Sequence, residues 1–255
     1  MSDAAAAVTV DGFLGGRLRL KQPVRGHRAG HDAILLAAAT PACPGECVVD
    51  LGAGIGTAGL ALALRVPGCT VVLVERDEAL VQLAGDNIAA NKLAARAIAI
   101  DVTASAAAFA AAGLGPAMAD RVLMNPPFNH ATRDQPSPEP ARRAAHEAEH
   151  SGLEDWVKAA RRILKPAGTV SLIWRADGLG DVLAVLARGF GGVTVLPLHP
   201  RHDAAALRVL VRATLGSAAP VSLLPGLVLH DPSGQTPPDI QAVLAGTDIL
   251  PLAKP

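Results

Sequence analysis

The stretch Glu46-Cys47-Val48-Val49-Asp50-Leu51-Gly52-Ala53-Gly54-Ile55-Gly56-Thr57 decides the fold. Residues 46–50 form a short, mostly apolar run that reads as a buried strand. Three glycines at alternate positions follow, and an Ala/Leu-rich segment to Arg65 reads as a helix. Strand, glycine turn and helix in that order make a nucleotide-binding turn. Glycines let the backbone approach a ligand closely, and the helix behind offers N–H groups that have no intrahelical partner. A plain strand-to-helix turn gives the same pattern, so the reading depends on what surrounds it.

Downstream, the pattern repeats. The sequence predicts a strand over 70–74 ending at Glu75, with Asp77 capping a helix whose Leu80, Leu83, Ala84 and Ile88 share one face. A third strand over 97–100 ends at Asp101, and an Ala-rich helix around 104–112 leads to a fourth strand over 120–124. Each strand ends in a polar residue or a glycine turn, and in an open parallel sheet that end is the ligand edge. A helix over 153–164, closed by Lys165-Pro166-Ala167-Gly168, precedes a fifth strand over 169–174 and a helix over 179–186. Two further β runs, 192–196 and 207–215, are joined by a link too short for a parallel crossover, so they pair antiparallel.

Upstream, residues 8–22 read as a hairpin with Leu18 and Leu20 on one face, and Gly30-His31-Asp32 opens a helix to Ala39 with Asp32 as its N-cap. The tail from Pro220 carries a turn at 231–234 and a short helix started by Pro237-Pro238. The expectation is one α/β domain over 1–255. Residues 1–45 would be an N-terminal hairpin-and-helix extension and 220–255 a C-terminal tail.

The fourth strand runs into Arg121-Val122-Leu123-Met124-Asn125-Pro126-Pro127-Phe128. Two successive prolines force the chain out of its strand in a stiff, extended elbow. Asn125 Oδ1 and the Pro126 carbonyl are then both acceptors able to face one planar amino group, and Phe128 offers a flat face for a ring. That combination suits chemistry on the exocyclic amino group of a base or on a side-chain amide. A Pro-rich turn with an Asn cap is the structural alternative. Glu75, at the next strand end after the glycine turn, is placed to accept from ribose hydroxyls, and Asp101 from an adenine amino group.

With 255 residues, 50% of them apolar and 18% charged, the chain is globular and large enough to bury a substantial core. Formal net charge is zero, which gives no global pull toward nucleic acid or membrane. Locally, Arg17, Arg19, Lys21, Arg25 and Arg28 lie between positions 17 and 31 with no acid among them, a basic patch able to meet phosphates or an ordinary solvated hairpin. Arg201 joins them as a candidate at the ligand edge. Cys43, Cys47 and Cys69 show no disulfide framework or zinc spacing, which fits a reducing cytoplasm. The N-terminus lacks the basic region of a signal peptide. The uncharged run 102–119 is broken by Gly113, Gly115 and Pro116, against a membrane span.

The order Asp50-x-Gly52-x-Gly54, Glu75, Asp101, Asn125-Pro126-Pro127-Phe128 and a closing antiparallel β pair resembles the class I S-adenosylmethionine (SAM) methyltransferases with the amino-methylating signature, over residues 46 to about 215. The stretches starting at Phe13, Arg28 and Leu227 resemble the bacterial tRNA N6-adenine branch of that class, which modifies the adenine beside the anticodon of a valine tRNA. The resemblance implies a Rossmann-like sheet of seven mostly parallel strands with the last antiparallel, SAM as cofactor, and structured RNA, a tRNA, as partner; the residues themselves give the expectation of no membrane and no metal. It implies Asp50, Gly52, Gly54 and Gly56 along the methionine part of SAM, Glu75 at its ribose, Asp101 with Val102 at its adenine, and Asp32 or His31 beside it. Phe128 stands where Tyr is equally common in the signature, and either ring stacks.

His146-Glu147-Ala148-Glu149-His150 is a literal H-E-x-x-H, but Ser151-Gly152 would end its helix at once and no third ligand is in view. It reads as a solvated helix in a flap over 129–150. The rival readings are a ribosomal guanine-N2 methyltransferase and a release-factor glutamine-N5 methyltransferase. Outside the class stand a nicotinamide dehydrogenase, which leaves the elbow unexplained, and a non-catalytic RNA-binding module, which tolerates its loss.

Overall fold

The computed structural model describes residues 8–24, 29–127 and 152–254. Strands β1 (Val8–Phe13) and β2 (Leu18–Pro23) form an antiparallel hairpin, followed by helix α1 (His31–Ala39). The body runs β3 (Cys47–Leu51), α2 (Thr57–Arg65), β4 (Thr70–Glu75), α3 (Glu78–Asn91), β5 (Ala95–Ala99), α4 (Ala106–Ala111) and β6 (Ala119–Met124). Helix α5 (152–163), β7 (Leu164–Arg175), α6 (Leu179–Leu186), β8 (Phe190–His199) and β9 (Arg208–Leu215) complete it. The tail adds β10 (Ser222–Leu223), β11 (Leu227–Val228) and α7 (Pro238–Leu244).

The seven principal strands lie in the order β8-β9-β7-β6-β3-β4-β5. Strand β9 is antiparallel to both neighbours, and the other pairings are parallel. This is the Rossmann-like sheet expected, with β10 and β11 adding two-residue parallel extensions to the outer edge of β8. Both sheet faces are covered because residues alternate along each buried strand: Val48 and Leu73 face the layer of α1 and α2, whereas Val49, Val72 and Val122 face Phe109 of α4 and Val157 and Ile163 of α5.

Three local expectations shift. Gly30, not Asp32, is the N-cap of α1; Asp32 sits one residue inside the first turn, and its carboxylate meets Arg208 at 3.2 Å. Strand β5 begins at Ala95, because the left-handed Lys92 ends α3 and returns the chain to the sheet within a few residues. Leu164 already pairs with Ala119, so β7 starts before the Lys165-Pro166-Ala167-Gly168 turn, which becomes an irregularity in the β6–β7 register. Asp77 caps α3 as expected, accepting from Ala79 and Leu80 N–H. In the run 102–119, α4 spans six residues, and among the described residues no helix is long and apolar enough to cross a membrane. The flap and the H-E-x-x-H pentad lie outside the described residues.

The hairpin's apolar contact with the body centres on Leu18 and Leu20, both fully buried in the core that contains α1 and α2. Leu20→Ala should therefore destabilise the whole chain by about 2–5 kcal/mol, read from the urea midpoint. A loss below about 0.5 kcal/mol would mean that the hairpin is docked by something other than this burial.

Candidate active site

Strand register builds the site. Leu51 of β3 is opposite Val74 of β4 on one side and Met124 of β6 on the other. Gly52, Glu75 and Asn125 are thus the next residues on three adjacent strands, at the carboxyl edge of a sheet whose strands lie about 4.8 Å apart. Strand β5 stops at Ala99, so Asp101 stands two residues beyond it on the far side of Glu75.

The three glycines have three different reasons. Gly52 has φ +67°, and a Cβ there would come within 2.1 Å of the Trp156 ring, which rises from α5 against the loop. Gly56, the N-cap of α2, has φ +91°, and a Cβ would meet Leu73 at 2.7 Å. Gly54 has φ +55°, and among the described residues no atom lies within 4 Å of where its Cβ would be.

The carboxylates divide their work. Asp50 is buried, 2% exposed, and its Oδ2 accepts from Gly59 N–H at 2.8 Å, so it holds the first turn of α2 from beneath the loop. Burial pushes its carboxyl up to about 7, the Gly59 N–H opposes this and the nearby Glu75 charge adds to it. Glu75 Oε2 accepts from Gly54 N–H at 2.9 Å, and Oε1 from Arg76 and Asp77 N–H at 2.8 and 3.0 Å. Oε1 thus has both acceptor sites engaged, and Oε2 keeps a second one for a hydroxyl donor. Asp101 Oδ1 accepts from the N–H and hydroxyl of Thr103 at 2.8 and 2.7 Å, which lowers its pKa, and Arg76 approaches Oδ2 at 3.8 Å. Val102 beside it is half-buried against the core. Asp32 and Arg208 face each other near the same edge, since Arg208 is opposite Arg175, the last residue of β7.

At the elbow, Asn125 is half-buried, Pro126 buried and Pro127 exposed; Phe128 lies outside the described residues. The basic patch is smaller than its residue count. Arg17 donates through Nη2 to the Ala245 and Gly246 carbonyls, both 2.7 Å away, and through Nε to Leu14 O at 3.1 Å, so its guanidinium ties the hairpin turn to the end of α7. Lys21 pairs with Asp86 at 2.9 Å. Arg19 is exposed, Arg201 is exposed with Asp203 at 3.5 Å, and Arg25 and Arg28 lie outside the described residues. Sequence reading missed Trp156 and the buried Asn87. The first had a signal, as one of two Trp in a chain with four Phe and no Tyr; the second, one amide in an amphipathic helix, had none.

The strand order and the glycine loop at its carboxyl edge define a Rossmann-like, SAM-dependent methyltransferase. A model of the methyltransferase small domain matches residues 30–201, and the chain belongs to that family. It is 30% identical over 191 residues to the tRNA1(Val) (adenine(37)-N6)-methyltransferase of Aeromonas hydrophila, an alignment covering 74% of this chain and 77% of that one. A solved structure of a predicted O-methyltransferase from Agrobacterium tumefaciens superposes with a TM-score of 0.73 at 29% identity, over 86% of this chain and 98% of that one. TYW2 from M. jannaschii, solved with AdoMet, shares the fold at 17% identity and a TM-score of 0.55, over 84% of this chain and 88% of that one. SAM is the cofactor, and the Gly54 turn, with no described residue over its Cβ position and the Glu75 carboxylate beside it, fits it.

Two outcomes follow from this geometry. Asp50 titrates near 4 when unfolded and near 7 when folded, so from about pH 4 to 7 the unfolded chain releases a proton that the fold retains, and this group's contribution to stability falls as pH rises. Asp50→Asn should therefore gain on the wild type by ~1–4 kcal/mol between pH 4 and 8 in urea unfolding; a pH-independent difference would contradict the assignment. Gly52→Ala should destabilise by roughly 2 kcal/mol or more, and Trp156→Ala in the same chain should recover part of that loss, leaving only the backbone strain.

Proposed function

We propose that the chain transfers the methyl group of SAM to an exocyclic amino group of a nucleobase, N6 of adenine in a tRNA anticodon loop. The observation that carries this reading is the register that sets Asn125-Pro126-Pro127 directly beside the glycine loop. A methyl donor on the loop and an amino group on the elbow are then neighbours. The similarity to the Aeromonas hydrophila enzyme supports adenine over guanine or glutamine as the acceptor.

In this reading Gly52, Gly54 and Gly56 line the methionine part of SAM, Glu75 takes its ribose hydroxyls, and Asp101 with Val102 borders its adenine. Asp50 acts from below by fixing the loop, and Asp32 acts through Arg208. When bound, SAM supplies an electrophilic methyl on a sulfonium leaving group. The amino nitrogen of adenine is a weak nucleophile because its lone pair is delocalised into the ring. Asn125 Oδ1 and the Pro126 carbonyl accept its two hydrogens, stabilising the positive charge and pyramidal geometry that develop as the N–C bond forms and the C–S bond breaks. The proton of the methylated ammonium leaves to water, so no strong base is required. Pro127 stiffens the elbow and Phe128 stacks on the base. Loop bases splay out at little cost, which favours a tRNA loop over duplex DNA. Arg19 and Arg201 are the described cations of the predicted set best exposed to meet phosphates, with Arg25 and Arg28 as further candidates; Arg17 and Lys21 hold the fold.

Incubation with labelled SAM and separate tRNA, ribosomal RNA, DNA and protein pools tests the acceptor: N6-methyladenosine in tRNA is expected, and label confined to protein would move the activity to glutamine. Asn125→Ala should lower single-turnover transfer by about 10²-fold or more with little change in SAM affinity, because its bonds strengthen only as charge develops. Wild-type transfer by that variant would remove the role of the elbow. Glu75→Ala should instead weaken SAM binding by about 1.5–3 kcal/mol in calorimetry.

A further inference from the structure

Helix α3 carries two asparagines one turn apart, Asn87 and Asn91, and both are spent on the outer edge of β2. Strand β1 covers one edge of β2. On the other, Asn91 Oδ1 accepts from Arg19 N–H at 3.0 Å and its Nδ2 donates to Arg19 O at 2.7 Å. Asn87 Oδ1 accepts from Lys21 N–H at 2.7 Å and its Nδ2 donates to Lys21 O at 3.1 Å. Four residues along a helix rise about 6.0 Å and two along a strand about 6.6 Å, so side chains at i and i+4 can serve backbone groups at alternate strand positions. The two amides stand in for a missing third strand.

The two are not equivalent. The second amide hydrogen of Asn91 goes to Asn87 O of its own helix, at 2.8 Å. That of Asn87 goes to Ile55 O at 3.1 Å, between Gly54 and Gly56 of the cofactor loop. Asn87 is completely buried, so no water replaces a partner it loses. A single amide therefore clamps the hairpin and the glycine loop to the same helix, the one that starts just after Glu75.

We propose that Asn87 is a positioning residue that couples docking of the N-terminal hairpin to the shape of the SAM loop, so that cofactor binding tightens the hairpin. The proposal rests on SAM lying on the glycine loop and is independent of the methyl acceptor. Since the hairpin carries the exposed Arg19, the same coupling makes phosphate contact there favour the SAM-competent loop, by reciprocity.

The test is hydrogen exchange on the full chain with and without saturating S-adenosylhomocysteine, in wild type, Asn87→Ala and Asn91→Ala, with affinities from calorimetry. In the wild type, ligand should slow exchange at the Arg19 and Lys21 amides as well as at 52–56, by about fivefold or more. Asn91→Ala should retain ligand-dependent protection at Lys21 and wild-type affinity, whereas Asn87→Ala should lose that protection and bind about tenfold more weakly. A purely structural role would give both variants the same pattern. Bound ligand that protects 52–56 and leaves the hairpin unchanged in the wild type overturns the coupling alone. Bound ligand that leaves 52–56 unprotected removes the shared premise and the coupling with it. Both are read on the wild type, so the outcome stands even if Asn87→Ala fails to fold.

Discussion

The structure depends on the parallel pairing of β3 between β4 and β6. Leu51, Val74 and Met124 stand opposite one another, and whatever follows each of them is delivered to the same edge. A glycine turn, a carboxylate and a proline-stiffened amide follow. None of these groups needs to find the others in the folded state, because the hydrogen-bond ladder has already fixed their spacing. Slipping β6 by one residue would turn its side chains to the opposite faces of the sheet and displace Asn125 by about 3.3 Å along the strand.

Burial at this edge is graded. Asp50 lies beneath the loop with its pKa raised by burial, Glu75 is half-buried and bonded to backbone N–H groups from both the loop and the start of α3, and Asp101 is half-buried with its carboxylate form favoured by Thr103. Three carboxylates at or near the ends of successive strands thus occupy three electrostatic environments, from structural anchor beneath the loop to half-buried acceptor beyond β5.

Most of the sheet was legible because its strands are buried on both faces and end in chemically distinctive residues. The antiparallel β8–β9 pair followed from a link too short for a crossover, and the Asp77 cap from its position. What sequence could not show were partners set by long-range packing. Arg17, Arg19 and Lys21 read alike as cations, yet folding commits the guanidinium of Arg17 to carbonyls more than 200 residues away, pairs Lys21 with Asp86 and leaves Arg19 exposed. Gly52 reads as a ligand-approach glycine, and the fold adds a Trp156 ring against it. Asn87 has no signature at all, since its meaning comes from β2 and Ile55 arriving on either side.

The central claim is that glycine loop and elbow form one site. A crystal structure of the chain with S-adenosylhomocysteine and adenosine tests it most directly. The account predicts ribose hydroxyls on Glu75, the thioether sulfur between the loop and β6, and the adenosine amino group on Asn125 Oδ1 and the Pro126 carbonyl. A product molecule whose sulfur faces away from β6, or an amino group held elsewhere while Asn125 contacts only the protein, would contradict it.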